Sequence, residues 1–202
     1  MIRQLTLEDA YAFRELIVNM YSDLENLEWF SPMPFDIENV KAMISNPRFY
    51  IIGYFEDNVL KGVGSLDYKC GKLLGKIDLP AFSEDSKVVE LGFHMVHSKY
   101  KGNGIMKKLV NHLLNKISED RFEIAFAKVH VNNLASSTSL IRNGFEVYSE
   151  YAKPVNKKEF INLSNQDFFS KRGKENAKKT LSKYNESDEN IIVDYNILTK
   201  RI

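Results

Sequence analysis

The hydrophobic period of this chain changes from two to 3.6 within a dozen residues, and the change falls at two glycines. Val88 to Val96 reads as a strand and Tyr100-Lys101-Gly102-Asn103-Gly104 as a turn. From there Ile105, Met106, Leu109, Val110, Leu113, Leu114 and Ile117 recur at helical spacing, with Lys107, Lys108, Asn111 and Lys116 opposite. Ile124 to Val131 is an almost unbroken apolar run, the pattern of a strand buried on both faces. Strand, helix and buried strand in that order require a crossover connection, so the two strands are expected to pair in parallel.

The flanking segments read as further elements. Ile2 to Leu5 is a short first strand, and Thr6-Leu7-Glu8-Asp9 has the form of a capping box. The helix it opens carries Ala12, Leu16, Ile17 and Tyr21 on one face. Pro32 and Pro34 interrupt the chain; Asp36 opens a second helix, with Val40, Met43 and Ile44, that stops at Asn46-Pro47. Phe49 to Phe55 and Val59 to Tyr68 flank a polar turn at Glu56-Asp57-Asn58 and predict a hairpin. Residues 70–86 read as a loop. Asn133 begins a short helix that ends at Asn143-Gly144, and Phe145 to Tyr151 is another strand. Between Lys153 and Lys183 there are nine Lys or Arg against three Asp or Glu, with little apolar periodicity. This stretch, about 153–190, is read as a basic insertion before a last strand, Ile191 to Leu198. The order β-α-α-β-β-β-α-β-α-β, insertion, β describes one mixed α/β domain over residues 1–202.

Composition removes several function classes. Of 202 residues 44% are hydrophobic and 12% aromatic, enough for a core. A formal net charge of +1 gives no broad basic surface, so nucleic acid is not an expected partner. No apolar run reaches the roughly 20 residues of a membrane helix. The start lacks the apolar core of a leader peptide, and Cys70 is the single cysteine, so the expected setting is cytoplasmic and reducing. His97, His130 and Cys70 lack metal-site spacing, and no metal is expected.

The turn at 101–106 carries the chemistry. Glycines before a helix start let successive N–H groups converge on an anion, where the positive end of the helix dipole already favours one. A pyrophosphate fits there without a basic side chain, with Lys101 to assist. The pattern lacks the full G-x-G-x-x-G of a dinucleotide fold, and it lacks the Gly-Lys-Ser/Thr ending of a P-loop.

Taken together, the strand, Tyr100-Lys101-Gly102-Asn103-Gly104-Ile105, the amphipathic helix, the buried strand, Asn133 and Asn143-Gly144-Phe145 resemble the GNAT (GCN5-related N-acetyltransferase) superfamily over roughly residues 1–151, and the last strand, 191–198, is similar to the family's last. The resemblance implies a mostly antiparallel central sheet with a splayed parallel pair and flanking helices. It also implies acetyl-CoA as co-substrate, its pyrophosphate on Lys101, Gly102, Asn103, Gly104, Ile105 and Met106. In the family's Gln/Arg-x-x-Gly-x-Gly/Ala signature Lys101 stands at the first position, Gly104 matches, and Met106 replaces the last. Pantetheine would pair with the main chain near Met95 and Val96, where an N–H polarises the thioester carbonyl. Asn133 stands where the family has a pantetheine ligand; as a residue it reads equally as a helix N-cap.

Amide formation needs a neutral amine, and an amine of pKa about 10.4 must first lose a proton. Glu90 is the expected base. It lies six residues before Val96 and, by a period of two, on the same face; His94 shares that face and is the second candidate. The resemblance places Leu140 where many members have the Tyr that protonates the departing thiolate, leaving Ser139 or Tyr148 as substitutes. It places the acceptor against the first two helices and the last strands. There Glu25, Glu28, Trp29, Phe30 and Pro32 form one cluster, and Phe168, Phe169, Lys171, Lys174 and Lys178 lie in the insertion. The implied activity is acetyl transfer to a primary amine of a small molecule or peptide. The alternatives are a silent acyl-CoA-binding module and a protein-modifying acetyltransferase, and the insertion allows a homodimer contact.

Overall fold

In the computed structural model, structure is described for residues 1–22, 33–34, 36–69, 87–130, 133–154, 161–164 and 191–202, with backbone alone at 148–154, 161–164 and 191–197. The elements are β1 (Ile2–Gln4), α1 (Ala10–Ser22), α2 (Ile37–Ser45), β2 (Phe49–Glu56), β3 (Val59–Asp67), β4 (Val88–Val96), α3 (Ile105–Glu119), β5 (Ile124–His130), α4 (Leu134–Arg142), β6 (Glu146–Pro154), β7 (Ile161–Ser164) and β8 (Ile191–Arg201). The chain is mixed α/β with mostly antiparallel strands, and it divides into two compact units.

The first unit comprises Met1–Cys70, Ser86–Ala125 and Arg201–Ile202. Strands β1 to β4 pair antiparallel in sequence order. The β2–β3 hairpin turns on Asp57 and Asn58, at φ 52° and 61°, the left-handed pair that matches the right-handed twist of two strands. The Lys87 carbonyl accepts from the N–H of Glu123 at 2.9 Å and of Ile124 at 3.2 Å, so β4 and β5 start side by side at the same end. That is the parallel start expected from the intervening helix.

Helices cover both faces of this unit's sheet. On one, Phe13, Leu16, Ile17 and Met20 of α1 and Val40 of α2 pack with Ile51, Phe55, Val63 and Met95. On the other, Leu109 and Leu113 of α3 lie over Gly62 and Gly64. The α1 contact face includes Phe13 and Met20 besides the expected Leu16 and Ile17, because the helix sits in a seam between the sheet and α2. The start of α1 is pinned electrostatically. Asp9 accepts two bonds from Arg3, both 2.7 Å, and one from the Thr6 N–H at 2.8 Å, and these hold its carboxyl below the usual range.

The second unit comprises Gly71–Asp85 and Phe126–Lys200. β6 pairs antiparallel with β7 and with β8. β7 lies inside the segment read as an insertion, where four residues of alternation were too short to register. α4 ends as expected at Asn143-Gly144, with Lys200 Nζ donating to the Asn143 carbonyl at 2.6 Å.

Phe13 is fully buried and stacks on Phe93 at 5.8 Å. Phe13→Ala is expected to cost ~3–5 kcal/mol in urea unfolding, and a loss below ~1 kcal/mol would show that the seam closes around the cavity.

Candidate functional site

The turn between β4 and α3 is held from below and open above. Ser98–Tyr100 forms one 3-10 turn, the Lys101 N–H donates to the Ser98 carbonyl at 3.2 Å, and Asn103 Nδ2 donates to the Tyr100 carbonyl at 3.3 Å. Gly102 at φ +82° and Gly104 at φ +69° occupy the left-handed region, and a Cβ on either would meet nothing within 4 Å. The glycines are thus required by backbone shape, and among the described residues nothing crowds the space beside them. The first helical bond of α3 runs from the Lys108 N–H to the Gly104 carbonyl, and no side chain caps the helix. The N–H groups of the first turn of α3 have no intrahelical acceptor, as at any helix start.

The surroundings are charged to suit. Lys99, Lys101, Lys107 and Lys108 are exposed around this end, and from Leu91 to Ser118 the sequence has no Asp or Glu. The helix dipole, the glycine turn and these exposed lysines give this end of the unit a positive character that suits an anion. Charge was legible here in the sequence; the supports beneath were not. Lys61, nearly buried, places its ammonium on the Glu56 carboxylate and 4.4 Å from the ring centre of Tyr100. Asn19 of α1 accepts from the Ser98 N–H at 3.1 Å and donates to the Ser98 hydroxyl at 3.3 Å. Both tie the turn to residues far away in the chain, which no local pattern reveals.

Strand β4 departs from the expected alternation. Gly64 pairs with His94 and Leu66 with Leu91, so the single residue Ser65 faces both Gly92 and Phe93. This is a β-bulge, and it inverts the side-chain order on either side of it. Glu90 pairs with Asp67 and so lies on the face of Val63, toward α1 and α2. His94 and Val96 pair with Gly64 and Gly62 and lie toward α3. The expectation that Glu90, His94 and Val96 share one face is therefore corrected: the bulge separates Glu90 from the other two. Met95 is buried beside Val63, and Val96 is half-buried.

Glu90 sits opposite a second carboxylate. Asp67 accepts from Arg48 Nε at 2.7 Å, pairs with Arg48 Nη2 and accepts from the Lys69 N–H at 2.9 Å. Arg48 thus compensates the negative charge that faces Glu90 across the strands. His94 is a poor base here. Its Nδ1 lies 3.0 Å from the Gly92 carbonyl, its Nε2 is shut off from solvent, and burial pushes its pKa down to about 4.

In the second unit Asn133 caps α4, its Oδ1 accepting from the Ser136 N–H at 3.2 Å. The cap leaves the Nδ2 donors uncommitted among the described residues. Leu140 is buried. The clusters at 25–32 and 168–178, Cys70 and the side chain of Tyr148 lie outside the described residues. Among those described, no three His, Cys, Asp or Glu gather to hold a metal ion, and no helix is long and apolar enough to cross a membrane.

Residues 1–146 match the family model of the acetyltransferase (GNAT) domain. No curated protein matches the chain by sequence. Among solved structures, the ribosomal-protein-alanine N-acetyltransferase from Brucella melitensis is similar at TM-score 0.64 and 17% identity, over 100% of this chain and 99% of its own. An N-acetyltransferase from Staphylococcus aureus Mu50 gives TM-score 0.64 at 14% identity, over 100% and 97%. The yncA protein of Salmonella typhimurium, solved with its cofactor acetyl-CoA, gives TM-score 0.64 at 16% identity, over 100% and 92%. At such identities the likeness is one of fold.

The depressed pKa of His94 has a consequence for stability. Its ordinary value is 6.5 and its folded value about 4, so below pH 6.5 the unfolded chain takes up a proton that the folded chain refuses. Stability from this group is complete above 6.5 and is lost as pH falls toward 4. Compared with His94→Leu, the parent should lose up to ~3 kcal/mol more across that window, read by urea unfolding at each pH. Parallel pH profiles for the two proteins would show that His94 is not held neutral.

Proposed function

We propose that this chain, which belongs to the GNAT acetyltransferase family, transfers the acetyl group of acetyl-CoA to a primary amine of a small molecule or peptide. The observation that carries the reading is the cradle at Gly102–Met106, where two glycines in the left-handed region lead into the start of α3 with lysines exposed around it. Met106 replaces a small residue of the family signature and is half-buried, with its N–H among the first of α3.

Acetyl-CoA supplies the acetyl group as an activated thioester. The chain's part is to hold and deprotonate. Gly102, Asn103, Gly104, Ile105 and Met106 would take the pyrophosphate on main-chain donors, with Lys101 beside them. Met95 and Val96 would present main-chain groups to the pantetheine arm, and Asn133 has amide donors left for it beyond its cap. Glu90 would take the proton of the acceptor ammonium, directly or through a water. Its position on the α1–α2 side of the sheet supports this, since the acceptor is expected against those helices. Across the strands Asp67 is held by Arg48, so its charge facing Glu90 is compensated.

One observation favours a second reading. Leu140, at the position where many relatives carry a proton-donating Tyr, is buried and has no acid chemistry. A silent acyl-CoA-binding module would bind acetyl-CoA without releasing CoA when amines are supplied. A thiol of pKa about 8.5 leaves adequately without a dedicated acid, so the enzyme reading stands first. Steady CoA release with any member of an amine panel decides for it.

Acetyl-CoA should raise the melting temperature by mass action on the folded state. Gly104→Val places a β-branched residue in the left-handed region and its methyls in the cradle. It is expected to weaken acetyl-CoA binding about tenfold or more, the value of a charge-assisted hydrogen bond. Equal affinity by calorimetry would move the phosphate site elsewhere.

Glu90→Gln keeps the shape and removes the basicity. Its kcat is expected to fall by about two orders of magnitude near neutrality with acetyl-CoA binding kept, and the gap should narrow at higher pH as the free amine becomes abundant. Parental kcat at every pH would remove Glu90 from the mechanism.

A further inference from the structure

Ser65 Oγ and His94 Nε2 are both buried without a hydrogen-bond partner among the described residues, and they sit on opposite faces of one bulge. Buried polar atoms left unpaired are rare in folded chains and each asks for a reason. On the Ser65 side the reason is steric. A Cβ at position 92 would stand 2.5 Å from Ser65 Oγ, so the hydroxyl fills the place a side chain would take and only glycine fits opposite.

On the His94 side packing gives no reason for an imidazole. The ring lies beside Gly64, whose Cβ would come 3.0 Å from His94 Cδ2, and near Leu113, whose Cδ1 would come 3.1 Å from that same Cβ. An apolar side chain would suit that environment and leave no orphan atom. What the ring adds is Nδ1, 3.0 Å from the Gly92 carbonyl. A carbonyl oxygen only accepts, so the proton is on Nδ1, and the lone pair on Nε2 is what remains unpaired. The peptide that follows Gly92 is trans and planar, so its C=O and N–H point in opposite directions. Holding the Gly92 carbonyl therefore also aims the Phe93 N–H away from the imidazole.

We propose that His94 is a positioning residue for acetyl transfer: through Nδ1–H to the Gly92 carbonyl it holds the bulge that places Glu90 on the α1–α2 face and the Val96 side chain on the other. This rests on the roles given above to Glu90 and to the main chain at Met95 and Val96. The imidazole does not touch the reacting atoms; it sets the peptide geometry between the base and the strand end. Its cost to the fold is an unpaired nitrogen, and its return is one fixed conformation of an otherwise irregular strand.

The test compares His94→Leu and His94→Asn in the full chain, with acetyl-CoA and an amine that the parent acetylates. His94→Leu removes the orphan nitrogen and should melt at or above the parental temperature at neutral pH. Its kcat should nevertheless fall about tenfold or more, the scale of a small misplacement of reacting groups, with KM for acetyl-CoA within about threefold of the parent. His94→Asn can present Nδ2 near the place of Nδ1 and should recover kcat to within about threefold. A role in packing alone would not produce a stable, slow leucine variant that asparagine rescues. Parental kcat in His94→Leu overturns the inference, as does equal impairment of the two variants. The ring is also read directly by its nitrogen chemical shifts, which should show a proton on Nδ1 between pH 6 and 8; an Nε2–H ring in an active enzyme overturns this inference alone. A parent that binds acetyl-CoA but acetylates no amine overturns the transfer reading, and the positioning role falls with it.

Discussion

Where β3 offers Ser65, β4 offers both Gly92 and Phe93, and the consequences run through the first unit. Because of the extra residue, Phe93 and Met95 face α1, and Phe93 stacks on Phe13. Without it, His94 would face α1 and Phe93 would be driven against α3. The same step lets Glu90 face the α1–α2 layer while the residues that enter the turn, His94 and Val96, face α3. A regular strand would have put all three on one side. The core and the candidate chemistry thus share a single irregularity, and a slip of one residue in the β3–β4 register would undo both.

This also separates what was legible in the sequence from what was not. The helical stripe from Ile105 to Ile117, the doubly buried β5 and the glycine turn are patterns within one segment, and each is found where it was read. A bulge is a mismatch in residue count between two strands, so neither strand carries it alone. Its traces in β4 are only a glycine beside a phenylalanine, and a strict period of two passes over them. The supports of the turn were hidden for the same reason. Asn19 precedes Ser98 by 79 positions, and Lys61 meets Tyr100 across two strands. Asn133 was legible in part, since a capping residue announces itself by its place before a helix.

Charge organises the turn in two layers. Lys61 is neutralised by Glu56 and covered by Tyr100, so it serves as a foundation rather than as an anion receptor. Lys99, Lys101, Lys107 and Lys108 remain in solvent, where their attraction for a polyanion is long in reach and screened by salt. The main-chain donors at Gly102–Met106 act only at contact. Steering and selection are therefore assigned to different groups, the first tunable by surface substitution and the second set by backbone conformation.

The pair of bonds between Asn19 and Ser98 limits how this fold can diverge. They span the opening of the turn, so any lengthening between Val96 and Gly104 would either break them or move the glycines relative to α1. An exposed loop is normally the part of a domain that drifts fastest in length and composition. Here a polar residue in the last turn of a helix imposes a fixed length on such a loop. Descendants of this chain would be free to vary the surface of α1 at Tyr11 or Val18, yet Asn19 and Ser98 would have to change together or not at all.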